Sequence, residues 1–149
     1  MDFPKPVPLR SPRESLGGYI LLPRLIDKVR LPAQGQLSQA YIANVLGSGF
    51  MLDGRFLSFT GLNAEAFRRV ILSSRTDDEV LAWVQEHARP TTAVEKHTWA
   101  EQIDCYRPDV ALVSYRKRVY PELAARVDVG SLSVLDMIDM DEGRMSIKD

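Results

Sequence analysis

Apolar residues recur along this chain with helical rather than strand spacing, and polar or glycine-bearing stretches punctuate them. Leu21, Leu22, Leu25, Ile26 and Val29 fall on one arc at about 100° per residue, with Arg24, Asp27, Lys28 and Arg30 across the opposite side. Proline is tolerated in a first helical turn, so Pro23 places the start of this helix near Leu22. Just upstream, Ser11, Pro12 and Glu14 have the spacing of a capping box, and Gly17-Gly18 then supply a helix stop.

The same grammar repeats downstream. Asp53 is placed to cap a helix holding Phe56, Leu57 and Phe59, closed by Gly61. Asn63 caps the next, with Leu62 and Phe67 at the staple positions. Thr76 with Glu79, and Thr92 with Glu95, are two further capping boxes. Ala111 to Val119, Pro121 to Val127 and Ser133 to Glu142 complete the series, with Gly143 as the last stop. Leu37 to Leu46 reads as a short helix, and Pro4, Pro6 and Pro8 make residues 1–10 an extended arm. Strand alternation is nowhere sustained, and no repeat or linker divides the chain. The expectation is an all-α fold, one compact domain over residues 1–149, built of short helices joined by short capped turns.

Composition narrows the function classes. With 149 residues, 45% hydrophobic and 26% charged, the chain can bury a real core. Its 19 basic and 20 acidic residues give a net charge of −1, so no global field steers a polyanion and nucleic acid is not the expected partner. No apolar run is long enough for a bilayer, which argues against a membrane protein. The opening MDFPKPVPLRSP lacks the apolar core of a secretory signal, and the single Cys105 excludes an intrachain disulfide. A cytoplasmic location is expected.

SPRESLGGYILLPRLIDKVRL, DGRFLSFTGLNAEAF, TDDEVLAWVQEH and LDMIDMDEGR resemble, in that order, a bacterial family, domain of unknown function number 5069. The resemblance covers nearly the whole chain, and LPRLIDKVRL and EVLAW are its most specific parts. It implies a small cytoplasmic helical protein and brings no established activity, cofactor or catalytic residue.

Candidate chemistry is sparse. Arg24, Asp27 and Lys28 are helical neighbours, and two cations flanking a carboxylate near Tyr19 can bind a small anion; a solvated face with local ion pairs is the plain alternative. His97 and Glu101 are an i, i+4 pair that, with His87, could hold a divalent metal, although the spacing matches no metal motif. Cys105 has only Arg107 nearby to activate it. Arg116-Lys117-Arg118 is the single basic cluster, opposed by Asp136, Asp139, Asp141 and Glu142; their pairing between chains would give a homo-oligomer. No phosphate loop, nucleophile elbow or paired-cysteine motif occurs. The expected function is therefore a non-catalytic binding or regulatory module without a cofactor, using Tyr19, Arg24, Asp27 and Lys28 for a small anion or protein partner. The alternative is a metal-assisted hydrolase using His87, His97 and Glu101.

Overall fold

The computed structural model describes residues 9–33 and 52–145. Residues 1–8 of the arm expected over residues 1–10, and the expected helix Leu37 to Leu46, lie outside the described residues, whereas Leu9 is buried and Arg10 half-buried. The described chain is mostly helical, as the apolar spacing predicts. Its helices are α1 (Leu22–Ala33), α2 (Leu52–Thr60), α3 (Ala64–Ser73), α4 (Asp77–His87), α5 (Ala93–Cys105), α6 (Val110–Val119), α7 (Pro121–Ala124) and α8 (Val134–Asp141). A single small hairpin, β1 (Ser15–Leu16) with β2 (Tyr19–Ile20), is the sheet content of the described residues.

The hairpin corrects the reading of Ser11 to Gly18. Ser11 does not open a helix: its hydroxyl accepts from Arg13 N at 3.1 Å and its carbonyl accepts from Glu14 N at 3.1 Å, a local turn. Leu16 then pairs with Tyr19 across Gly17 (φ +60°) and Gly18 (φ +84°). Two successive positive φ values are what a type I′ hairpin turn requires, and Gly-Gly meets that demand without strain.

Several caps form as spaced. Asn63 accepts from Ala66 N at 3.0 Å, with Leu62 and Phe67 both buried as a staple. Thr92 and Glu95 complete a reciprocal box, Glu95 N donating to Thr92 Oγ1 and Thr92 N to Glu95 Oε1. Thr76 caps α4, but Glu79 reaches back one residue further, to Arg75 N. Asp53 lies inside the first turn of α2 rather than capping it, buried and paired with Lys28.

Contacts gather the chain into two compact units, one from Pro8 to Lys96 and one containing His97 to Asp149. In the first, α1 packs on α3 and on β1, and α3 packs on α4. The apolar arc Leu21, Leu22, Leu25, Ile26 and Val29 is buried there with Phe56, Phe67, Ile71, Val80 and Val84. In the second, α6 and α7 pack together around Leu123, Val129 and Met137.

Candidate functional site

The polar side of α1 is covered by the segment that leads into the hairpin, where Leu9 and Pro12 are buried. Arg10 in that segment grips Asp27 side-on: Nε donates to Oδ2 at 3.0 Å and Nη2 to Oδ1 at 3.0 Å, while the Arg10 backbone N–H adds a third bond to Oδ2 at 2.9 Å. Arg10 Nη1 also donates to Asp77 Oδ2 at 2.7 Å, and Arg30 Nη1 donates to Asp77 Oδ1 at 2.9 Å. The result is a ladder, Asp27–Arg10–Asp77–Arg30, joining the lead-in segment, α1 and the start of α4. Partial burial opposes the charge on Arg10, but its hydrogen bonds to Asp27 and Asp77 raise its pKa above the ordinary arginine value. Burial alone would likewise raise the Asp77 carboxyl; the Arg10 and Arg30 guanidiniums reverse this and hold it below the usual carboxylate range.

Each residue singled out in the sequence has a definite place. Arg24 is only 4% exposed, correcting its assignment to a solvated face, and its Nη1 donates to the Arg10 carbonyl at 3.1 Å. Lys28 donates to Asp53 Oδ1 at 2.9 Å, with side chains 12% and 3% exposed respectively. Tyr19 is buried, edge-on to Phe56 with ring centroids 6.0 Å apart. Lys96 Nζ sits 4.2 Å from the Tyr19 ring centroid and donates to the Gly17 carbonyl at 2.9 Å, closing the hairpin onto the start of α5. Tyr19, Arg24, Asp27 and Lys28 thus hold the first unit together through contacts within the chain.

The far end of the ladder opens onto solvent. Arg30, pinned by Asp77 and by the Thr76 carbonyl, lines a cleft of about 300 Å³ with Ala33, Ile71, Leu72, Ser74 and Arg75. Arg30 and Arg75 therefore both line a cleft at the end of α3. The sequence reading missed Arg10, Asp77 and Arg75. No periodic signal could have found them, because Arg10 and Asp77 stand 67 residues apart.

A family model for a domain of unknown function, DUF5069, matches residues 7–144. The chain belongs to this family. The match spans both units and all the residues of the ladder and cleft. No curated protein matches the sequence.

The remaining candidates of this DUF5069 chain stay local. His87 stacks on Trp83 with ring centroids 4.4 Å apart, and its Nδ1 lies 2.9 Å from the Trp83 carbonyl. The stack continues inward from Trp83 to Phe67 and from Phe67 to Phe56. His97 and Glu101 pair at 3.1 Å on an exposed face of α5. Among the described residues no group of three or more His, Cys, Asp or Glu side chains is arranged to hold a metal. Cys105 is exposed at the end of α5. Asp139 and Glu142 are both engaged by Arg144, so part of the acidic C-terminal cluster is neutralised locally. No described helix is long and apolar enough to cross a membrane.

Proposed function

We propose that this protein is a non-catalytic binding module that takes a small organic anion in the cleft between Arg30 and Arg75. The observation that carries this reading is that two arginines, Arg30 and Arg75, line one mostly polar cleft. Arg30 is already oriented by Asp77 and the Thr76 carbonyl, so little side-chain entropy is lost when a ligand docks. Arg75 is exposed and supplies the second cation. Leu72 and Ala33 can meet a short apolar portion, but the exposed lining is mostly polar, which suits a small carboxylate or phosphate compound. Asp27 and Arg24 act behind the site through Arg10, which also holds Asp77, the partner of Arg30.

Arg75→Gln is the discriminating variant. Its exposed side chain should leave stability within about 0.5 kcal/mol of wild type. Loss of one charge-assisted hydrogen bond, worth about 1.5–3 kcal/mol, should weaken anion binding by roughly tenfold or more. Calorimetric titration with butyrate, citrate and phosphate reads both the affinity and the preference. Absence of binding to all three by the wild-type protein would end this reading.

A further inference from the structure

The basic cluster of α6 does not behave as one patch. Lys117 and Arg118 are exposed, Arg118 lying 6.0 Å from the Tyr115 ring centroid. Arg116 is 4% exposed. Its Nη1 donates to the Val129 carbonyl at 2.7 Å and to the Leu132 carbonyl at 2.8 Å, which spends both hydrogens of that nitrogen. No carboxylate pairs with it among the described residues. Burial holds its pKa below the ordinary arginine value; the Tyr120 and Tyr106 phenols act in the opposite sense, and the Arg107 guanidinium adds to the lowering. A buried cation without a counter-charge is costly, and such groups are ordinarily paired.

Arg10 shows in the same chain what an arginine edge of this kind does. Its Nε and Nη2 hold the two oxygens of Asp27 side by side. On Arg116 the equivalent Nε–Nη2 edge makes no hydrogen bond to a described residue. Among the described residues no side-chain nitrogen or oxygen is left sealed from solvent without a partner, so these two nitrogens must meet the surface. The carbonyl pair on Nη1 fixes the plane of the guanidinium, leaving the other edge aimed and rigid.

We infer that the Nε–Nη2 edge of Arg116 is an oxyanion site of the C-terminal unit, taking the carboxylate or phosphate group of a small molecule, with Arg107 as a second cation. It is independent of the cleft between Arg30 and Arg75. The narrow exposure of Arg116 admits a terminal oxyanion and excludes an extended polyanion, consistent with the balanced net charge of the chain. The side-on fork matches a planar carboxylate oxygen for oxygen, and it accepts two oxygens of a phosphate equally well.

Arginine side-chain NMR of the full protein reads this edge directly through the Arg116 Nε–Hε resonance. Millimolar acetate and millimolar inorganic phosphate are titrated separately, against chloride at matched ionic strength. The expected result is a saturable shift of the Arg116 resonance beyond the chloride control. The tighter of the two anions identifies the ligand as a carboxylate or a phosphate ester. Arg75→Gln should leave the response unchanged, which separates this site from the cleft. Arg116→Gln should abolish it, but that change also removes the bonds to Val129 and Leu132 and threatens folding. Arg107→Gln keeps both bonds, and it should weaken the response several-fold with the melting temperature retained. An Arg116 resonance that neither anion moves beyond the chloride control would overturn the inference.

Discussion

Lys28 and Asp53 show how burial converts an ordinary charge into a structural dependency. Their Nζ–Oδ1 distance is 2.9 Å and both side chains are largely removed from water. Lys28→Met should cost about 3 kcal/mol, because it removes a close cation from a buried carboxylate. The double change Lys28→Met with Asp53→Leu should recover much of that loss, since two apolar groups carry no desolvation penalty. Denaturant melts of the four-member cycle check this, and strictly additive losses would show that the pair is not coupled. At this scale the sequence displays the charges but not their partners. Lys28 and Asp53 are 25 residues apart, and Arg24 is buried because the lead-in segment covers the side of α1 that helical periodicity leaves to solvent.

The hairpin is the element that local reasoning misassigned. A serine hydroxyl accepting from the backbone N–H two residues on serves a turn as readily as a helix start. Two-residue strands have no period to read, so the Gly17-Gly18 pair is legible as a turn only once Leu16 and Tyr19 are seen to pair. An added Cβ at Gly17 would lie 2.5 Å from Leu81 Cδ1, whereas one at Gly61, which also has positive φ, meets nothing within 4 Å. Gly61→Ala should therefore cost about 1–2 kcal/mol from backbone strain alone. Gly17→Ala should cost more, by the displacement of Leu81 from its seat on the hairpin. Equal losses for the two variants, measured by chemical denaturation, would refute that steric account. The caps at Asn63 and Thr92, by contrast, were legible because donor and acceptor lie within three residues of each other.

The largest-scale device in the first unit is the Asp77 carboxylate, which joins the lead-in segment and α1 to the start of α4. Its pKa is lowered on folding, so near the ordinary carboxylate value of about 4 the unfolded chain binds the proton more readily. The stabilisation is therefore present above that value and is lost as pH falls through the folded pKa. Asp77→Asn should be less stable than wild type at neutral pH by about 1 kcal/mol, a figure discounted for partial exposure. The gap should close as the solution is made strongly acid. Thermal melts across that range test it, and a gap independent of pH would assign the effect to packing rather than charge. The sequence by itself determined the helices, most of their ends and the apolar arc of α1, because periodicity and capping act over a few neighbouring residues. Only the tertiary structure decided which cations are buried, which carboxylates they meet, and that Arg30 and Arg75 border a common cleft. Those outcomes depend on distance and desolvation between residues tens of positions apart, and no local pattern in the chain encodes either.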